Sequence, residues 1–172
     1  MTEHGRPPYP HIHQINVSNG GVPKYPLIEA KVTKQGLGGD RQKNLNVHGG
    51  PDRAVCLFSL ELIERLQDEG HTIDPGSAGE NLTLAGLEWE KLGPGAQLTI
   101  GPEVRLEVTS YCAPCELNAQ WFREGDFERI SQKINPGWSR LYARVLAEGI
   151  VRPGDAVEIV NDWQVEDDGP RA

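Results

Sequence analysis

Glycine and proline interrupt this chain too often to leave room for a bundle of long helices. Twenty glycines and thirteen prolines fall within 172 residues. Proline fixes φ and removes a donor, and glycine reaches φ values closed to other residues, so each cluster marks a place where the chain turns. Between the turns run short apolar stretches with a period of two. Pro94-Gly95-Ala96-Gln97-Leu98-Thr99-Ile100 and Pro153-Gly154-Asp155-Ala156-Val157-Glu158-Ile159 both read as a turn followed by an alternating strand. That pattern predicts a mainly β barrel of hairpins, with a few attached helices, rather than a doubly wound fold.

The strands can be placed. Ile12, Ile15 and Val17 predict the first, ended by Asn19-Gly20-Gly21. Leu27 to Lys34 follows, with Ile28, Ala30 and Val32 on one face. Ala54 to Phe58 reads as a buried strand. Ser59 then caps a helix with Leu60, Leu62, Ile63 and Leu66 inward and Gly70 at its end. Leu82–Leu84, Gln97–Ile100, Glu103–Thr109, Leu141–Ala147 and Ala156–Val160 complete the strands. Leu117 to Phe122 predicts a short helical piece. Asp126 to Ile134 predicts a fuller helix, capped by Asp126, with Phe127, Ile130 and Ile134 on one stripe. The length suits one domain: a loose proline-rich arm over 1–10, a folded body over 11–160 and an acidic tail over 161–172.

The net charge of −8 argues against nucleic acid as the main partner. No apolar run approaches the length of a membrane span, and the start lacks the pattern of an export signal, so a cytoplasmic protein is expected. Positive charge is nevertheless concentrated. From Lys24 to Arg53 six cationic side chains stand against three acidic ones. Gly36 to Arg53, GLGGDRQKNLNVHGGPDR, is glycine-rich and basic, and its length exceeds that of ordinary connections. Backbone N–H groups exposed by glycine, with nearby Arg and Lys, make a cradle for a small anion. The structural alternative is a solvated loop.

Three cysteines are too few for a disulfide scaffold or a four-cysteine zinc site. Cys56, inside Ala-Val-Cys-Leu-Phe, reads as a core thiol. Cys112 and Cys115 lie in Tyr-Cys-Ala-Pro-Cys after a strand. Cys115 opens a possible helical turn, where a thiolate is a nucleophile, a redox group or a soft metal ligand; the alternative is a half-buried structural thiol. The Cys112-x-x-Cys115 spacing also permits thiol–disulfide exchange, although outside its usual βαβ setting. His48 is either an anion donor or a turn histidine in solvent. Asn81 could bond a polar ligand edge or cap a turn, and Arg140 is a possible phosphate partner or a surface arginine.

Taken in order, Gly20-Gly21-Val22-Pro23-Lys24, Gly36-Leu37-Gly38-Gly39-Asp40-Arg41, Val47-His48-Gly49-Gly50-Pro51-Asp52-Arg53-Ala54-Val55, Gly79-Glu80-Asn81-Leu82, Pro114-Cys115, Ser139-Arg140 and Pro153-Gly154-Asp155 resemble the MOSC family, named for the C-terminal domain of molybdenum-cofactor sulfurase. The resemblance runs from about Ile15 to Val160 and is to the free-standing bacterial type. It implies a closed β-barrel of complex topology with a few short peripheral helices. It implies the molybdenum cofactor (Mo-molybdopterin), molybdenum held by the dithiolene of a phosphorylated pterin. Cys115 would be the catalytic thiolate and molybdenum ligand. Lys24, Arg41, His48, Arg53, Asn81 and Arg140 would contact pterin and phosphate. The implied activity is reduction of a small molecule, an N-hydroxylated base or amine. No flavin, haem or iron–sulfur motif is present, so electrons would come from a partner reductase protein. Two further readings stand beside it, a non-catalytic carrier of sulfur or cofactor and a dithiol exchange protein. Ala113 departs from those relatives that carry arginine just before Pro-Cys; the departure removes a cation and allows a Cys112–Cys115 disulfide that would disable Cys115.

Overall fold

The structure is a computed structural model that describes residues 5–41 and 50–161. His48, most of the acidic tail and the first residues of the arm fall outside the described residues. Among the described residues eleven strands and one α-helix are formed: β1 His11–Val17, β2 Tyr25–Leu27, β3 Ala30–Thr33, β4 Gly36–Leu37, β5 Val55–Ser59, α1 Leu60–Asp68, β6 Leu82–Ala85, β7 Gln97–Ile100, β8 Val104–Cys112, β9 Arg140–Ala147, β10 Gly149–Val151 and β11 Val157–Asn161. Short 3-10 turns fill much of the path between β8 and β9.

Eight strands form one mixed sheet in the order β11-β7-β8-β9-β5-β6-β1-β2, and β10-β3-β4 form a second. The mainly β expectation holds, but the expected closed barrel does not: both sheets are open. The reason lies in β1. β6 takes one of its edges and β2 takes the other along Ile15–Val17, which leaves only the start of β1 available on that side. That start meets the residues leading into β11 through the isolated His11–Ala156 bridge and the hydrogen bonds Ile12 N to Asp155 O at 3.0 Å and Gly154 N to Ile12 O at 2.8 Å, which do not extend into a strand ladder with β11. At the other end β2 carries Pro26, which lacks a donor and suits a sheet edge.

The local predictions hold where side-chain period and burial agree. On β8, Val104, Leu106 and Val108 are buried and the residues between them less so. The Ser59 hydroxyl accepts from Leu62 N–H at 3.2 Å and starts α1, whose Leu62, Ile63 and Leu66 enter the core. With β5 before it and β6 after it, α1 forms the crossover of a parallel strand pair.

Elsewhere tertiary contacts win. Ile28 does not share a face with Ala30 and Val32; it lies between β2 and β3 and is 88% exposed. The helix expected over Asp126–Ile134 shrinks to a 3-10 turn, Phe127–Ile130, with no side-chain cap from Asp126, and Ile134 is 57% exposed. So short a piece gains little by propagating as helix. It is held instead from outside, by Arg129 pairing with Glu69 at 2.8 Å and stacking on Trp138. Residues 5–10 lie against the body: Arg6 donates to Glu64, and Pro10 O accepts from Val157 N at 2.9 Å. Among the described residues no helix is long and apolar enough to cross a membrane.

Candidate functional site

β8 ends at Cys112, and the chain turns through Ala113-Pro114 to Cys115, which precedes the 3-10 turn Glu116–Trp121. Cys115 is exposed, whereas Cys56 and Cys112 are buried, and none of the three is joined in a disulfide. Asn118 holds the Cys115 backbone from both sides. Its Oδ1 accepts from Cys115 N at 3.3 Å, and its own N–H donates to Cys115 O at 2.9 Å.

Beneath that turn the sheet places four side chains together. On β9, Arg140 stands opposite Cys112 of β8, and Tyr142 opposite Cys56 of β5. Residues two apart on a strand share a face, so both pairs point the same way. Cys56, Cys112 and Tyr142 form a buried cluster of their own. A hydrogen bond to Cys112, added to burial, pushes the Cys56 thiol well up from its ordinary pKa. Burial and the neighbouring Cys112 and Cys56 push Tyr142 up as well. For Arg140 burial acts to lower the pKa, but the acidic groups of Cys112, Cys56, Tyr142 and Glu80 outweigh it and raise the value. Outside the cluster, the Arg53 guanidinium lies 5.3 Å from the centre of the Tyr142 ring.

A second polar centre forms around Asp40. Its carboxylate accepts from Lys24 Nζ at 2.7 and 2.8 Å, from Asn81 Nδ2 at 2.9 Å and from Ser18 N at 3.0 Å. Asn81 Oδ1 accepts in turn from Cys56 N at 2.9 Å. The two centres are therefore joined: Lys24, Asp40, Asn81, Cys56, Cys112, Arg140, Asn118 and Cys115 make one connected path. The second glycine-rich loop packs beside it. Gly76 has φ +86°, and its Cα lies so near Lys24 that a Cβ would come within 2.5 Å of the Lys24 carbonyl oxygen. Glu80 is wholly buried, and burial raises its pKa against the pull of N–H and hydroxyl donors from Gly76 and Thr83.

A sequence model of the MOSC domain matches residues 44–158. The chain belongs to the MOSC domain family. That family is associated with molybdenum-cofactor binding. YflK of Bacillus subtilis (strain 168) is 32% identical over 143 residues, covering 82% of this chain and 63% of its own. The protein YiiM of Escherichia coli (strain K12) is 30% identical over 138 residues, covering 77% and 60%. The chain thus spans about three fifths of the length of these MOSC relatives. The crystal structure of YiiM from Geobacillus stearothermophilus superimposes with a TM-score of 0.70 at 27% identity, over 88% of this chain and 75% of that one.

Within this MOSC fold, the residues singled out from sequence are distributed unevenly. Lys24 and Asn81 meet on Asp40. Arg140 lies under the Cys115 turn, and Arg53 covers Tyr142. Arg41 is exposed and bridges Asn19 through the backbone. Sequence reasoning misses Asp40, Asn118 and Tyr142 as site residues. Asp40 is visible in Gly-Gly-Asp-Arg, and Asn118 stands three residues after Cys115, the spacing of a capping pair; Tyr142 has no local signal.

The donor set fits a metal that arrives with its own organic ligand. Among the described residues no group of three or more His, Cys, Asp or Glu side chains could hold a bare ion. A single exposed thiol, however, offers the one soft donor that such a complex would need.

Proposed function

We propose that this MOSC protein binds the molybdenum cofactor and reduces N-hydroxylated bases or amines, with electrons from a partner reductase. The observation that carries the reading is the exposure of Cys115 alone among the three thiols, on a turn clamped at both sides of its backbone. Cys115 is the thiolate ligand. Arg41 and Arg53 carry positive charge toward the phosphate, His48 is a further contact proposed from sequence alone, and Lys24, Asn81 and Arg140 shape the wall through Asp40, Cys56 and Asn118. Bound there, the cofactor supplies two-electron oxygen-atom chemistry, so that an N–OH substrate, two electrons and two protons give an N–H product and water. The working compartment is the cytoplasm.

The test is reconstitution with molybdenum cofactor, then turnover of an N-hydroxylated purine with a chemical reductant. The wild-type chain is expected to bind molybdenum and turn over, and Cys115→Ser to do neither. Full turnover by Cys115→Ser defeats the assignment. Molybdenum binding without turnover by the wild type leaves a carrier instead.

A further inference from the structure

Arg140 reads from sequence as a phosphate partner, yet in the fold its guanidinium is turned inward and the residue is only 5% exposed. Nη1 donates to Ala78 O at 2.6 Å; Nη2 donates to Ala113 O at 3.3 Å and to Asn118 Oδ1 at 3.2 Å. These acceptors belong to three separate pieces of chain: the Gly76–Gly79 loop, the turn leaving β8 and the 3-10 turn after Cys115. Asn118, itself buried, repeats the connection by donating from Nδ2 to Ala78 O at 3.3 Å. One amide oxygen therefore receives both the Arg140 guanidinium and the Cys115 N–H.

The turn needs such support. Pro114 has no N–H to offer, so the stretch from Cys112 to Cys115 has little internal hydrogen bonding, and Arg140 takes up the Ala113 carbonyl. Burying a guanidinium is costly unless its donors are engaged; here Nη1 and Nη2 are engaged while Nε is buried without a hydrogen-bond partner. A charged donor also strengthens every hydrogen bond it feeds, here the shared Asn118 oxygen. A single ligand thiol has to be held close to its productive position by neighbours that are themselves locked.

We infer that Arg140 and Asn118 are positioning residues that fix the Cys115 turn, Arg140 acting through Asn118 and Ala113 rather than by touching the anion. The inference rests on Cys115 being the functional thiol. Asn118→Leu removes the shared acceptor at similar size, and Asn118→Asp keeps it. Amide hydrogen exchange over residues 113–118 is read on the 172-residue chain without cofactor, and kcat, KM and molybdenum content on the reconstituted protein.

Asn118→Leu is expected to speed exchange there by at least about tenfold and to lower kcat by about 10- to 100-fold with KM little changed. Asn118→Asp should recover most of both. If Asn118→Leu does not fold, Arg140→Lys, which keeps the charge but cannot reach three acceptors, is read in the same way. Exchange in Asn118→Leu within about twofold of wild type overturns the inference. Loss of molybdenum from Arg140→Lys with exchange unchanged also overturns it, by making Arg140 a cofactor contact. A wild-type chain that neither takes up molybdenum nor turns over defeats the function proposed above, while the exchange measurement still decides the positioning role.

Discussion

Lys24 closes on both carboxylate oxygens of Asp40, at 2.7 and 2.8 Å, with side chains only 9% and 5% exposed. A pair this deep differs from a surface salt bridge. Each ion has given up its water, so removing one leaves the other charged and uncompensated.

Asp40→Ala is therefore expected to cost about 3–5 kcal/mol, since it also takes an acceptor from Ser18 N and leaves Asn81 Nδ2 only its long bond to Asn16 O at 3.4 Å. The double variant Lys24→Met with Asp40→Leu should lose less than Asp40→Ala alone. Urea unfolding of the two variants beside wild type measures this; a loss below about 1 kcal/mol in Asp40→Ala would place the pair among ordinary surface ion pairs.

The Gly76 contact sets a second expectation. An alanine there would hold φ +86° and press its Cβ against the Lys24 carbonyl. Gly76→Ala should lose at least about 2 kcal/mol. Gly95 has φ +102°, and a methyl added there would meet nothing within 4 Å, so Gly95→Ala should lose about 1 kcal/mol. Thermal melts of both variants separate backbone strain from collision.

His13 supplies a pH dependence. Burial lowers its pKa from the ordinary 6.5, helped by the positive charges of Arg6 and His11 and opposed by Glu64. The unfolded chain then takes up the proton at higher pH than the folded one. Stability from this residue is present above 6.5 and is lost as pH falls through that value toward the folded pKa. Replacement by glutamine should flatten that fall in urea unfolding between neutral and mildly acidic pH; an unchanged slope would assign it to other groups.

The two thiols of Cys-x-x-Cys should behave differently. Cys112 is 1% exposed and packs with Cys56 and Tyr142, so Cys112→Ser is expected to lower stability by about 1–3 kcal/mol. Cys115→Ser should change stability by less than about 0.5 kcal/mol. A reversible Cys112–Cys115 bond in equilibrium with glutathione, seen by mass spectrometry, would contradict this division.

Much of the chain's local structure could be read from residue order. Alternation on Val104, Leu106 and Val108, the Ser59 cap and the apolar run around Cys56 each depend on neighbours a few residues away. So does the separation of Cys115 from a core thiol, because Pro114 breaks the strand just before it. Tertiary structure decided what neighbours cannot. Whether the sheet closes depends on whether β11, near the far end of the chain, forms a ladder with β1 at its start, and no local pattern specifies that contact. Whether Lys24, Asn81 and Arg140 face a ligand or each other's acceptors depends on Asp40, Cys56, Ala78 and Asn118, each brought within hydrogen-bond distance only by folding. Period and composition record how a residue meets its own segment; the partner of a buried charge is chosen by the packing of segments, and no local pattern encodes it.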